Sequence, residues 1–285
     1  MSVRTIKFSE RAVAFIDLLG FKNLVREAHA SAGARKRLSQ LMRTIRSNEP
    51  LNRVVNHPIP RELHPKSLEI SDSIILSTPL THPDHSWYSG LAVMVMRCSQ
   101  IAAIFLKEGY LVTGAINVGA VHHTQHNIVG MAYQDAYEWQ SKVESPGIVL
   151  CPAAVSAWNS SPYRVGVSDL CFNRSVSFKD RHPDGKPLSK GRETIVVNVF
   201  EPNHMNSVRA LERPGPAPKM DDVWLSEQVK RIGDLIQKNI AQFSPGGASP
   251  HKSALAKWRW CEEVFRDRGR PGLEQYLSVP VSLLS

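Results

Sequence analysis

Cysteine is scarce in this chain. The four residues, Cys98, Cys151, Cys171 and Cys261, are scattered and form no CxxC pair. That argues against a disulfide frame or a zinc knuckle and points to reduced core thiols of a cytosolic protein. Long apolar runs are missing too. The most apolar segment, Leu91 to Leu106, is interrupted by Arg97, Ser99 and Gln100 and is expected to be a buried helix rather than a membrane span. Met1 to Glu10 is polar and has no leader-like stretch, so a cytoplasmic location is expected. There is no internal repeat. Basic and aromatic residues do not alternate as they do in single-strand nucleic-acid binders, which makes that partner unlikely on pattern.

The chain does have enough apolar residues, 42%, to bury a full core, and a formal charge of +9. The positive charge is spread over Arg35 to Arg46, Lys179 to Arg192 and Lys252 to Arg270. A basic protein often meets a nucleic acid, a membrane or a nucleotide, but a solvated basic surface accounts for most of these residues.

Arg11 to Ile16 reads as a buried strand, followed by a helical pattern from Lys22 to Ser47 that Gly33 is expected to divide. Leu68 to Leu76 alternates around Ser71-Asp72-Ser73 and predicts two strands joined by a tight turn. A helix over Leu91 to Lys107, a strand over Tyr110 to Val121, a turn at His122 to Asn127, a helix over Tyr133 to Glu144 and a strand over Ile148 to Cys151 follow. This order opens with the βαββαβ unit of ferredoxin-like sheets. Beyond it, strands are expected within Val165 to Phe178 and Thr194 to Phe200. Pro214 to Pro218 reads as a linker, and helices are expected over Asp221 to Ile240 and Ser253 to Arg266. The expected organisation is an α+β core over residues 8–155 and an extension over residues 156–285, strands then helices, packed on the core or on a dimer partner.

Two acids stand out. In Phe15-Ile16-Asp17-Leu18-Leu19-Gly20-Phe21 a carboxylate sits where a buried strand meets a helix. Magnesium and manganese prefer hard oxygen ligands, and the N–H groups at a helix start, with Gly20 allowing close approach, suit phosphate. Helix capping would explain Asp17 equally well. Asp72, in Ile70-Ser71-Asp72-Ser73-Ile74, lies at the predicted turn, where ordinary turn chemistry is the simpler explanation. Together they say more. A βαββ unit places the first strand beside the hairpin, and two close carboxylates repel unless a cation lies between them.

Phe15 to Phe21 is similar to the FxDIxGF segment of class III nucleotide cyclases. Ile70-Ser71-Asp72 resembles their second metal carboxylate, which glycine usually precedes. Gly114-Ala115-Ile116-Asn117-Val118-Gly119, Ala132-Tyr133, Ala136-Tyr137-Glu138 and Pro146-Gly147-Ile148-Val149-Leu150 follow in the family's order. The resemblance implies an α+β class III cyclase core that converts a nucleoside triphosphate to a 3′,5′-cyclic nucleotide and pyrophosphate. It implies two manganese or magnesium ions held by Asp17, Asp72 and the Leu18 carbonyl, with phosphate at Leu19, Gly20 and Phe21. It also implies a homodimer with its sites at the interface.

The departures narrow the resemblance. Leu68 occupies the base-selecting position, where purine cyclases carry lysine or glutamate. Depending on a one-residue shift, Gln134 and Glu138, or Asp135 and Trp139, replace the helical Asn and Arg, and Lys142 is the candidate positive charge. Thr113 stands where many bacterial relatives have arginine. These features resemble the pyrimidine cyclases of the Pycsar anti-phage system, which implies UTP as the favoured substrate and cyclic UMP acting on a separate effector. A purine cyclase, a metal-dependent nuclease and an inactive nucleotide-binding cyclase fold are the alternatives. His122, His123 and His126 are expected in a solvent-facing turn, and Trp258, Trp260 and Phe265 in core or dimer packing.

Overall fold

The apolar run Arg11 to Ile16 becomes the middle of strand β1 (Ser9–Leu18). The computed structural model describes residues 5–46, 59–86, 88–161, 170–179, 191–200, 222–248 and 250–269. Ala12, Val13, Ala14 and Ile16 are fully buried; side chains apolar on both faces suit a strand covered on both sides. Helices α1 (Phe21–Ala30) and α2 (Ala32–Arg46) follow. The break between them falls at Ser31, not at Gly33, which lies inside α2. Ser31 is extended, and its hydroxyl accepts a hydrogen bond from the Ala34 N–H at 3.3 Å. A side chain that caps a new helix divides the chain, whereas a helix absorbs a glycine at a cost of about 1 kcal/mol.

The hairpin forms as expected, with β2 (Lys66–Ile70) and β3 (Ser73–Pro79) joined by Ser71 and Asp72. Next come α3 (Gly90–Lys107), β4 (Val112–His123), β5 (Ile128–Val129), α4 (Met131–Lys142) and β6 (Gly147–Leu150). Helix α5 (Pro152–Ser160) has no counterpart in the sequence reading. It is short, and only Ala154 and Trp158 are buried on it, so its apolar periodicity is weak. Strands β7 (Cys171–Val176) and β8 (Arg192–Val197) and helices α6 (Asp222–Phe243) and α7 (Lys252–Val264) complete the order. The predicted linker Pro214 to Pro218, and parts of the segments 165–178 and 179–192, lie outside the described residues.

The sheet runs β2-β3-β1-β4-β6-β8-β7, with β5 paired to β4. Within β2-β3-β1-β4 every neighbour is antiparallel, and α1–α2 and α3 form the connections. This is the βαββαβ unit in an α+β fold. Strand β6 adds in parallel to β4, and β8 and β7 carry the sheet past residue 155. One face buries Ala14, Ile16, Leu76, Ile116, Ile148 and Ile195 under α1, α2, α3 and α5. On the other, α4 covers Val13, Phe15 and Ile75 with Ala132 and Ala136. Beside it, α6 and α7 cover Ala115, Val149 and Val196 with Ile232, Ile236, Trp258 and Cys261. By length and composition α3 is apolar enough to cross a membrane, but it is mostly buried here, with Met94, Cys98, Ile101 and Phe105 in the core.

Gly114 marks the tightest approach in the central strands. A Cβ there would come within 2.7 Å of the Phe15 carbonyl and 3.1 Å of Ile148 Cγ1. Alanine normally stabilises a strand relative to glycine. Here Gly114→Ala is expected to lower the unfolding free energy by roughly 1–3 kcal/mol in urea titrations, because β1 and β4 must part to admit the methyl group.

Candidate functional site

Antiparallel pairing on both sides of β1 sets Asp17 opposite Ser73 on one neighbour and Thr113 on the other. Asp17 is the last acid of the strand and points to the α4 face, as Val13 and Phe15 do. Ser73 donates its hydroxyl to Asp17 Oδ1 at 3.0 Å. Asp72, at the hairpin turn, comes close enough to act on Asp17 by both charge and hydrogen bonding. The two acids singled out in the sequence are therefore brought together. Burial, then the neighbouring Asp72 charge, push Asp17 up to about 6, while the Ser73 hydroxyl and the Leu18 N–H oppose the rise.

The turn that presents Asp72 is strained. It has two residues, and Ser71 takes φ 60°, the one positive φ at a non-glycine residue in the described chain. Positive φ at the first turn position belongs to tight hairpins that favour glycine.

Leu19, Gly20 and Phe21 form the corner between β1 and α1. Leu19 N–H is bonded to the Leu111 carbonyl at 2.9 Å, and the Asn23 and Leu24 N–H groups fold back to the Gly20 carbonyl at 3.0 and 3.2 Å. Gly20 caps the helix at φ 88° with no side-chain cap and no acid in the first turn. Its glycine is required by that φ rather than by crowding, because a Cβ there would meet nothing within 4 Å. The Phe21 and Lys22 N–H groups precede these first helical bonds, a setting that suits an anion.

A cleft of about 380 Å³ opens beside Asp17. Asp17, Leu19 and Thr113 form its floor, and Gln140, Glu144 and Ser145 line one side. Lys179, Ser253, Lys257 and Trp260 line it as well, and the last three belong to α7. Lys142 is not among the lining residues; its Nζ lies 3.8 Å from Glu138 in a surface ion pair. The other residues considered for that role also lie elsewhere. Asp135 accepts a hydrogen bond from Asn117, Trp139 packs edge-on against Phe178, and Gln134 is exposed.

The cations that face the cleft, Lys179 and Lys257, carried no sequence motif. Their signal is only that both lie in the basic segments. The histidine reading needs correction: Thr124 to Asn127 is the turn, but His123 is buried at the end of β4. Its Nδ1 lies 2.7 Å from the Ser77 hydroxyl, which also accepts from Arg11 Nε at 2.8 Å. Trp258 is core, as expected, whereas Trp260 borders the cleft.

Among the described residues no group of three or more His, Cys, Asp or Glu side chains converges on one point. Asp17 and Asp72 supply hard oxygens from two carboxylates only. That donor set fits magnesium or manganese, which bind through one or two carboxylates and complete their shell with water and phosphate oxygens. It does not fit an all-protein calcium or zinc cage.

No protein-family model matches the chain, and no curated protein matches it in sequence. Among solved structures it is similar to the catalytic core of a rhodopsin-guanylyl cyclase with converted specificity in complex with ATPαS. That match has 14% identity and a TM-score of 0.40, covering 67% of this chain and 96% of that one. It is similar also to a bacterial light-regulated adenylyl cyclase, at 10% identity and a TM-score of 0.41 over 72% of this chain and 99% of that one. A third is a class III adenylyl cyclase-like ATP-binding protein from Pseudomonas aeruginosa, at 15% identity and a TM-score of 0.34 over 53% of this chain and 35% of that one.

Two measurements test the geometry of the acid pair. Ser71→Gly is expected to stabilise the chain by about 1 kcal/mol in urea titration by relieving the left-handed turn. Because Asp17 is raised from 3.8 to about 6, the folded chain holds a proton there that the unfolded chain has released. Stability from this group therefore falls as pH rises through that window. Asp17→Asn should raise the melting temperature over wild type more at about pH 7.5 than at about pH 4.5. An equal gain at both would mean that Asp17 carries no such penalty.

Proposed function

We propose that this chain is a divalent-metal-dependent nucleotide cyclase whose paired carboxylates are Asp17 and Asp72. The observation that carries the reading is the Asp17–Asp72 pair itself. Two acids are held together at the end of a buried strand, at a cost that a bound cation would reverse. Manganese or magnesium, two per site, would be held by both carboxylates and the Leu18 carbonyl, and would supply charge neutralisation and activation of the attacking 3′-hydroxyl. At the α1 start, Gly20 and Phe21 would orient phosphate through their backbone N–H groups, while Leu19, whose N–H is taken by the Leu111 carbonyl, would border it. Asp17 must be ionised to serve, so the same cation that binds it also favours its working form. The reaction is an in-line displacement at the α-phosphate: the 3′-oxygen bonds to phosphorus and pyrophosphate leaves.

A homodimer with sites at the interface is part of this reading. Ile70, Met131 and Tyr137 are large apolar side chains exposed at 55%, 67% and 51%. Tyr137 packs on Phe15, two residues from Asp17, with ring centroids 5.2 Å apart. A second copy seated there would cover them. Lys142 does not line its own cleft, so its charge would serve the site of that second copy.

UTP is the favoured substrate. Leu68, at the position that selects the base in the resembled family, packs against the cluster of Phe15 and Ile75 and stands in place of the lysine or glutamate that reads a purine there. Cyclic UMP would then act on a separate effector in anti-phage defence in the cytoplasm. A nuclease is less well supported, since the sequence after Asp72 carries no D-ExK-like acid-lysine spacing.

Purified protein with manganese and each of the four nucleoside triphosphates, followed by chromatography of products, tests the reading. Cyclic UMP is expected from UTP, with Asp17→Ala and Asp72→Ala each reduced roughly 100-fold or more. No cyclic product from any nucleotide sinks the cyclase, and product from ATP alone sinks the pyrimidine preference.

A further inference from the structure

The cleft beside Asp17 has a wall that the nucleotide-cyclase motifs do not account for. Helix α7 and the segment after β7 supply it with Lys257, Trp260, Ser253 and Lys179. Two of these groups, Lys179 and Trp260, are held in place. Lys179 follows the Val143–Phe178 bridge; its N–H is bonded to the Lys142 carbonyl and its Nζ to the Ser141 carbonyl, both at 2.7 Å. That leaves two of its three ammonium protons for another acceptor. The Trp260 ring lies between Gly147, where a Cβ would come within 3.2 Å of it, and the Arg174 guanidinium, 5.4 Å from its centroid. Arg174 is in turn fixed to Glu263 at 2.9 Å and Asp267 at 3.1 Å.

The polar groups in this cleft are mostly donors, and several are unused. Thr113 is 3% exposed, and its Oγ1 has no hydrogen-bond partner among the described residues; the same holds for the buried Nε1 of Trp260. Burying a donor unpaired costs about 1–3 kcal/mol, so two such groups on one cavity point to a ligand. Lys257 and Lys179 are close enough to repel: burial, then the Lys179 charge, lower the Lys257 ammonium, and Glu144 only partly offsets them. Two lysines and Ser253 line one opening, with Thr113 and the Trp260 ring in its wall and their unpaired donors buried just behind its surface. Against them stand the acids Glu144 and Asp17, the second of which a metal would neutralise. Such a set accepts a multiply charged oxyanion.

We infer that the C-terminal helix completes the site. Lys257, Lys179 and the Trp260 and Thr113 donors would form a subsite for the polyphosphate chain of the nucleotide, adjoining the Asp17–Asp72 metal pair. The choice of polyphosphate rests on the nucleotide reading above; the oxyanion subsite stands on the cleft alone. Leu19, at the β1–α1 corner, also lines this cleft, so a phosphate chain bound at the corner would extend toward α7, the extension holding the leaving group and the βαββαβ unit the reacting phosphorus.

Calorimetric titration of the full chain with inorganic tripolyphosphate, without divalent metal, tests the subsite without requiring turnover. Wild type is expected to bind. Lys257→Gln and Lys179→Gln should each weaken binding about 10-fold, as loss of a charge-assisted hydrogen bond does. Trp260→Phe, which keeps the ring and removes the N–H, should weaken it about 3-fold. Lys36→Gln, on an exposed helix face far from the cleft, should leave it unchanged, and melting curves confirm that each variant is folded. Unchanged affinity in the folded Lys257 and Lys179 variants, or an equal loss in Lys36→Gln, overturns the subsite even if cyclase activity is found. Conversely, tripolyphosphate binding lost in those two variants supports the subsite even if no nucleotide is cyclised.

Discussion

Repulsion between two carboxylates is the constraint around which this end of the molecule is organised. Asp17 and Asp72 are brought together by the backbone, not by attraction. Ten residues of β1 are in register with β4, seven of them also with β3, and the hairpin turn then has one place to put Asp72. Asp17 cannot move away without breaking ladder pairs on both sides, and Asp72 cannot without refolding a turn already at positive φ. The sheet absorbs the electrostatic cost because its apolar core, from Ala12 to Ile16, is buried on both faces. The proposed metal site rests on this pair.

Charge around the pair is sorted by element. The acids come from β1 and the hairpin, while the cations that face the cleft come from the chain beyond residue 155. Helices α6 and α7 belong to the same packed layer that covers Ala115, Val149 and Val196. The extension therefore shares a core with the βαββαβ unit and lines the same opening. Thr113 shows how closely the two are joined. It faces Asp17 across β1 and β4, yet it also lines the cleft that α7 walls.

Much of the first half was legible. Phe15-Ile16-Asp17-Leu18-Leu19-Gly20-Phe21 marked the strand-to-helix corner because apolar residues stop abruptly at an acid and a glycine, and Gly20 indeed takes the left-handed cap. Ser71-Asp72 marked the hairpin because the alternation on either side has a period of two. Other assignments failed for identifiable reasons. Gly33 looked like the helix break, but Ser31 caps α2 and leaves Gly33 inside it. His123 sits in a histidine-rich stretch that looks like a surface turn, yet strand alternation carries it to the buried face beside Ser77 and Arg11. Lys142 is a different case: within this chain its side chain pairs with Glu138, and its role belongs to the proposed dimer.

The sequence by itself determined which segments are strands and helices near the site, and that Asp17 and Asp72 stand at adjoining corners. Those are local consequences of periodicity, glycine conformation and turn chemistry, read within a few residues. Only the tertiary structure decided what faces the pair. Lys179, Lys257, Trp260 and Thr113 share no spacing, and they meet because β6 adds in parallel to β4 and α7 packs across its end. Which lysine reaches a cleft depends on contacts between elements distant in the chain, and no local pattern encodes that. The acid pair can be located from its neighbours in the chain; the cationic wall opposite it exists only in the folded protein.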